Sequence, residues 1–309
     1  MATKTAKTDE KSEDKTPEAG TDLAAATGSA IADTAEMGDF DYGEDAGAGF
    51  ENTSGSDLSI PFMNVLQSNS PDVQQCQDGS IILGMFKNTV TGEYTKRSGF
   101  VFLPVHKEEA WVEWIPRAKG GGFVGLHAPD SEAVLKAIAD NGGDKIPKKG
   151  ADGKKVPLKV GANELVETYY VYGLLLDDTG LEVNGFAVIA FTSTKIKPYR
   201  DWLTSMFMIK GKPPMYAIRA RISSEIQTNE SGTFANIKIA PFAENNWMKS
   251  LVGRSSPVYA EGKRFQEMVV NGMARADFSK QDNAHTADGG EVGSRPSAGA
   301  NGNREETPF

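Results

Sequence analysis

The chain has 309 residues, and its 33 Lys and Arg against 42 Asp and Glu give a net charge of -9 at neutral pH. The single cysteine, Cys76, excludes an intrachain disulfide and any metal site built from several cysteines. The sequence has no apolar run of membrane-spanning length, and its charged N-terminus lacks the apolar stretch of a signal peptide. We therefore expect a protein of the cytoplasm that does not contact a membrane.

The acidic charge is concentrated at the two ends of the chain. Residues 1–50 hold 4 Lys and Arg against 12 Asp and Glu, residues 51–280 hold 27 against 25, and residues 281–309 hold 2 against 5. Both ends are rich in small and polar residues and lack an apolar period. The pattern predicts a disordered acidic tail over 1–55, one folded domain over 56–276 and a second disordered tail over 277–309. A slightly basic body with acidic tails is typical of proteins that contact a polyanion.

Short apolar runs separated by turn residues predict that most of the body is β-structure. The clearest hairpin joins 165–176 to 181–192 through the turn Asp177-Asp178-Thr179-Gly180. A second hairpin joins 215–226 to 233–240, and two further strands are predicted over 99–105 and 110–115. An earlier strand is expected over 81–86, before the turn at 89–94.

Helices are fewer, and three segments fit them. Residues 131–139 form a short capped segment, 196–207 place apolar residues at helical spacing, and 256–275 open at Ser256-Pro257. A Lys-rich loop insertion is predicted near 141–160. Many strands with two or three helices predict a mainly β fold, for which an elaborated, closed or nearly closed OB-like β-barrel is the first choice.

The residues of a standard enzyme centre are missing from the sequence. His106, His127 and His285 have no partner at the spacing of a zinc helix, and no phosphate-binding Gly-Lys-Ser/Thr loop is present. Asp177 and Asp178 could be read as a metal pair, but adjacent strand residues point to opposite faces and a turn is favoured. We expect no enzyme activity, no catalytic residues, no metal and no cofactor.

The most basic part of the body also contains aromatic residues. Residues 195–221 include seven cations and one acid, Asp201. Binding single-stranded DNA without sequence preference requires cations for the phosphates and flat rings on which bases stack. Solvated cations and core aromatics are the alternative reading, and Tyr199 shares its helical face with apolar residues. The candidate DNA-binding residues here are Lys195, Lys197, Arg200, Trp202, Lys210, Lys212, Tyr216, Arg219 and Arg221, with Lys238 on the partner strand.

A second candidate patch lies around residue 115. Trp111 and Trp114 fall on opposite faces of a predicted strand, so that one of them should be buried. Arg117 and Lys119 follow in a loop near Gly120, where they could approach phosphate. We assign Trp114, Arg117 and Lys119 to the predicted DNA-binding surface. The lysines of the 141–160 loop suit either loose phosphate contact or solubility, and the solubility reading is favoured.

The final residues Glu305, Glu306, Thr307, Pro308 and Phe309 are typical of a docking tip. A C-terminal Phe offers an aromatic ring and a carboxylate to a pocket with an apolar floor and a basic rim, and the two Glu steer the encounter. The ending resembles the acidic, Pro-Phe-terminated tips of bacterial single-stranded DNA-binding proteins and the acidic, Phe-terminated tails of podophage replication proteins.

Together, the tail, the predicted barrel and the basic-aromatic stretch resemble a phage-type single-stranded DNA-binding protein. Residues 57–62 and the Trp114-Ile115-Pro116-Arg117 segment are also similar to uncharacterised phage early proteins. The resemblance implies an OB fold that coats single-stranded DNA and recruits replication or recombination proteins through Glu305, Glu306, Pro308 and Phe309. It also implies that the free tip competes with DNA. The body is larger than a minimal OB fold, and the tail carries few charges near its end.

The sequence therefore predicts a non-enzymatic single-stranded DNA-binding protein of replication, recombination or repair, located in the host cytoplasm if phage-encoded. Two alternatives stay open: a structural or adaptor protein of a virion or assembly, whose barrel and tip bind proteins, and a strand-annealing recombinase. A homo-oligomer is compatible with each of the three.

Overall fold

The computed structural model describes Gly49 and residues 59–151, 155–229 and 232–281, which contain twelve strands and four α-helices. The helices are α1 (Pro71–Gln75), α2 (Glu132–Asp140), α3 (Ile196–Phe207) and α4 (Pro257–Val270). The strands are β1 (Ser59–Ile60), β2 (Met63–Val65), β3 (Phe86–Asn88), β4 (Tyr94–Thr95), β5 (Phe100–Ile115), β6 (Gly122–His127), β7 (Leu158–Val160), β8 (Asn163–Leu176), β9 (Val183–Thr192), β10 (Ala220–Asn229), β11 (Gly232–Pro241) and β12 (Arg275–Ala276).

Two long strands, β5 and β8, form the centre of a seven-stranded sheet. Their antiparallel register runs from Val101 opposite Leu176 to Trp114 opposite Glu164. Pro104 lacks an N–H for the ladder, and the register shifts beside it, between Pro104 and His106. The two strands predicted over 99–105 and 110–115 are thus one continuous strand, because the charged residues between them stay in the ladder.

Different neighbours flank the two ends of this central pair. At one end, β10 pairs with β5 and carries β11 on its other side, while β9 pairs with β8. At the opposite end, β6 pairs with β5 and β7 pairs with β8. The hairpins β8–β9 and β10–β11 confirm the two hairpins predicted from turn residues. In the first turn, the Asp177 carboxylate accepts hydrogen bonds from the backbone N–H groups of Leu181 and Glu182, at 2.8 and 3.0 Å.

Both faces of the large sheet are covered, because successive side chains of a strand point to opposite sides. On one face, Leu103 packs in a cluster with Phe265 of α4. On the other face, Phe102 lies in a cluster with Trp202 of α3 and Phe86 of β3. Helix α2 packs on the far end of the sheet. Helix α3 is therefore fixed to the sheet by its apolar side, which leaves its other side to solvent.

The mainly β fold is confirmed, but the sheets of the described residues do not close into a barrel. Strand β10 pairs with only three residues of β5, and β9 and β11 remain separate edges. Residues 61–67 lie against both edges instead. The Val188 N–H donates to the Pro61 carbonyl at 2.8 Å, and the Gln67 side-chain amide exchanges two hydrogen bonds with the Ala235 backbone, at 2.9 and 3.0 Å. Side chains and short segments thus cover the strand edges of β9 and β11, which in a closed barrel would be paired with other strands.

The folded body extends past the predicted boundary at Ala276. Strand β12 pairs in parallel with β1, and the ring of Phe278 lies 5.0 Å from the ring of Tyr170 and 5.9 Å from that of Phe62. The Tyr170 hydroxyl donates to the buried Gln281 side chain at 2.6 Å. Residues 277–281 therefore belong to the body. The predicted tails otherwise lie outside the described residues, apart from Gly49.

We expect a chain that ends at Gln281 to unfold at the same denaturant concentration as the full-length chain. A chain that ends at Ala276 should lose about 2 kcal/mol of unfolding free energy, because Phe62 and Tyr170 lose the aromatic ring packed against them. Urea unfolding followed by circular dichroism measures both. Equal stability of the two shortened chains would show that residues 277–281 do not hold the body together.

Candidate nucleic-acid interface

Helix α3 combines a buried apolar side with an exposed basic side. Pro198 is tolerated because it lies in the first turn, where its missing N–H costs no helical hydrogen bond. Tyr199 and Trp202 are buried against the sheet. Lys197 and Arg200 lie on the exposed side. Trp202 is only 3% exposed, so the prediction that it stacks on a base is wrong, because its ring fills the core.

The last turn of α3 leaves an aromatic ring in solvent. Phe207 is 68% exposed and Met208 is 76% exposed, although helical spacing placed Phe207 with the core residues. The helix ends at this point, and Ile209 turns into the core instead. The Lys212 ammonium lies 5.2 Å from the centre of the Phe207 ring, within the range of a cation–π contact.

Five exposed residues therefore follow one side of α3 and the loop after it, and we call them the α3 stripe. The helical part, from Lys197 to Phe207, spans about 15 Å at the usual rise per residue. Lys195 is half-buried where the chain enters the helix and is not counted. Asp201 is also exposed on α3. The members of the stripe are Lys197, Arg200, Phe207, Lys210 and Lys212.

Arg219, by contrast, has a structural role. Its guanidinium donates to the carbonyls of Gly180, Ser250 and Leu251 at 3.1, 3.3 and 3.4 Å, and it lies 4.5 Å from the centre of the Phe242 ring. Burial lowers the pKa of this guanidinium. The assignment of Arg219 to the DNA surface is not supported, because three backbone carbonyls use its donors.

Arg221 and Lys238 lie on the side of the β10–β11 hairpin that faces away from α3. Residues alternate along a strand, and Ile222 packs in the α3 cluster while Arg221 points the other way. Arg221 is 3.8 Å from Asp178, and Lys238 is exposed opposite Ser223. These two cations form a surface separate from the α3 stripe.

Tyr216 is only partly exposed. It is half-buried in a short 3-10 helix, with its ring 5.2 Å from that of Tyr259 in an edge arrangement. A Cβ added at Gly262 of α4 would lie 3.0 Å from the Tyr216 Cβ, which shows how closely the helix packs here. The expected exposure of Tyr216 is therefore only partial.

The second predicted patch lies at the opposite end of β5 from Arg221. Trp114 is 2% exposed and packs edge-on against Phe123, with ring centres 5.8 Å apart, so it cannot stack on a base. Lys119 is exposed in the short 3-10 helix Arg117–Lys119. Val101 pairs with Arg221 at the other end of β5, about 40 Å away at the usual rise per strand residue. The second patch and Arg221 thus do not lie in one groove.

The chain leaves the described body beside the beginning of α3. Gln281 and Lys195 line the same small cavity, with Asn64 and Thr192. The tip residues Glu305, Glu306, Pro308 and Phe309 lie outside the described residues, and their role stays a prediction.

One histidine does contact a carboxylate. His127 Nε2 lies 2.7 Å from Glu113 Oε2, and Asn163 donates to Glu113 Oε1 at 2.6 Å. The hydrogen bond from Asn163, together with His127, holds the Glu113 pKa below its usual value against the effect of burial. Within the described residues, no group of three or more His, Cys, Asp or Glu is placed to hold a metal ion.

We expect Arg219→Ala to lower the unfolding free energy by about 2 kcal/mol, because three half-buried carbonyls lose their donor. Arg221→Ala removes a cation from a neighbouring position and should change stability by no more than about 0.5 kcal/mol. Urea unfolding of both variants tests the difference. Similar losses for the two would contradict the structural role of Arg219.

The comparisons with known proteins gave one family. The model of the Pam3 phage gp34-like protein family matches residues 28–275. No curated protein and no solved structure matches the chain. Within the described residues, no helix is long and apolar enough to cross a membrane.

Proposed function

The chain belongs to the Pam3 phage gp34-like family, a family of phage proteins, and on that premise we propose that it is a sequence-tolerant single-stranded DNA-binding protein of phage replication or recombination. In this proposal it is not an enzyme and needs no cofactor. The observation that carries the proposal is the exposed Phe207 ring, with Lys212 over it, within a row of cations.

The chemistry of the α3 stripe fits an unpaired DNA strand. A base that stacks on an exposed aromatic ring contributes about 1–3 kcal/mol to the binding free energy, whichever base it is. Lys197, Arg200, Lys210 and Lys212 supply cations on either side of Phe207 for the phosphates. Because every base has a flat face and every nucleotide has a phosphate, this arrangement predicts binding without sequence preference.

A regulatory role for the predicted tip is part of this proposal. The last described residue, Gln281, lines the same small cavity as Lys195, at the beginning of α3. The acidic tip would compete with DNA for the α3 stripe, and it would be released when replication or recombination proteins bind it in the host cytoplasm.

One observation favours the structural or adaptor alternative. Phe207 and Met208 form an exposed apolar pair, and such residues are also enriched at protein interfaces. In that case Phe207 would contact a protein of a virion or assembly. A strand-annealing recombinase stays a third possibility, which ring or filament formation on DNA would distinguish.

Phe207→Ala should weaken the binding of labelled oligo(dT) by about 5- to 150-fold, the equivalent of one lost stacking contact. The side chain is exposed, so stability should not change. Fluorescence anisotropy at several salt concentrations measures the affinity, and the full-length chain should bind with a negative slope of log affinity against log salt.

The matched control is Leu181→Ala, which removes a large exposed apolar side chain from the β8–β9 turn. It should bind like the unaltered chain. If the unaltered chain shows no salt-dependent binding, or if Phe207→Ala binds as tightly as the control, the proposed function is wrong and the adaptor alternative gains support.

A further inference from the structure

A pair of neighbouring carboxylates lies between α3 and the Lys-rich loop. Glu109 on β5 is directly opposite Tyr169 on β8, and Glu167 lies two residues before Tyr169. Arg200 of the α3 stripe donates to the Tyr169 hydroxyl at 3.3 Å and lies 3.5 Å from Glu167. Lys145 lies 3.5 Å from Glu109. A cation from each side therefore offsets one of the two carboxylates.

Aromatic contacts also hold helix α3 against the central strands. The Tyr169 and Tyr199 rings are stacked 4.7 Å apart, and Arg200 lies 5.7 Å from the centre of the Tyr169 ring. A guanidinium has five N–H donors, and its contacts with Tyr169 and Glu167 use only part of them. Arg200 is thus held on the α3 side of the carboxylate pair, with donors that a phosphate can use.

The Lys-rich loop is an ordered structure near its base. The Val156 N–H donates to the Lys148 carbonyl at 2.8 Å, and Lys149 and Lys155 form a β-bridge, so the two arms of the loop pair as a small hairpin. Lys148, Lys149 and Lys155 are exposed, as is Lys159 at the start of the sheet. Residues 145–159 contain six lysines and one aspartate.

Solvation alone explains many surface lysines, and the sequence by itself does not decide between solvation and phosphate contact. The structure shows how the loop lies relative to the α3 stripe. The α3 stripe and the loop lie on either side of the Glu109–Glu167 pair, and Arg200 and Lys145 bridge it. A phosphate chain that leaves the stripe at Arg200 therefore meets Lys145 next.

We propose that the described lysines of the loop, Lys145, Lys148, Lys149, Lys155 and Lys159, form the second half of the single-stranded DNA path, which begins at Lys212 and turns onto the loop at Arg200. This inference rests on the proposed function and extends it. The loop offers point charges and no aromatic ring, so it contacts phosphates and adds length and salt sensitivity to the site. The far surface at Arg221 and Lys238 is not part of this path.

The test compares a triple variant, Lys148→Gln, Lys149→Gln and Lys155→Gln, with the unaltered chain. Each phosphate contact contributes about 0.7 to the slope of log affinity against log salt for single strands. With an oligo(dT) of about 30 nucleotides, the slope of the variant should be smaller by about 2. With one of about 6 nucleotides, which the α3 stripe alone can hold, the slope should not change.

The matched control is Lys96→Gln, Lys249→Gln and Lys263→Gln, which removes the same charge from exposed positions outside the proposed path. On the long oligonucleotide, its slope of log affinity against log salt should decrease by less than half as much as that of the loop variant. Thermal unfolding of both variants checks that the fold is kept, as expected for exposed side chains.

The outcomes separate the two proposals. If the unaltered chain binds but the loop variant keeps its slope on the long oligonucleotide, or loses no more than the control, the loop is not part of the path and the α3 site stands. If the unaltered chain binds neither oligonucleotide, the proposed function and this inference are both wrong.

Discussion

The long pairing of β5 with β8 is the constraint on which the rest of the structure depends. Two strands of this length expose apolar residues on both faces, and each face must be covered by other elements. Helix α4 covers one face, and α3 with β2 and β3 covers the other. Residues 61–67 then lie against the edges of β9 and β11. The basic side of α3 is exposed because the apolar side is needed by the sheet.

The same constraint explains which parts of the fold the sequence could predict. Turn residues such as Asp177 and Gly180 act locally, and they identified the β8–β9 hairpin correctly. The spacing of Tyr199 and Met206 likewise identified the buried side of α3. Local pattern did not reveal that β5 is one strand, because the charged segment between its apolar parts is held in place by pairing with β8.

Some of the predicted binding residues are exposed and others are not, and tertiary contacts decide which. Trp114, Trp202 and Arg219 have the chemistry of DNA contacts, but the first two fill cores and the third binds backbone carbonyls. Phe207 shows the opposite error: helical periodicity placed it on the buried side, but it is exposed. Periodicity cannot show that the helix ends at this residue. A useful signal was nevertheless present: Lys210 and Lys212 follow Phe207 closely, and a lysine can form a cation–π contact with a nearby ring.

The central claim is that the Phe207 ring contacts bound DNA, and Phe207→Trp tests it most directly. The native Trp111, Trp114 and Trp202 are buried and Trp247 is half-buried, so a tryptophan at this exposed position adds a separate fluorescence signal. The account predicts that titration with oligo(dT) quenches the emission of the variant far more than that of the unaltered chain, and that added salt reverses the quenching. If anisotropy reports binding but DNA quenches the variant no more than the unaltered chain, the claim is contradicted, because the DNA then binds elsewhere.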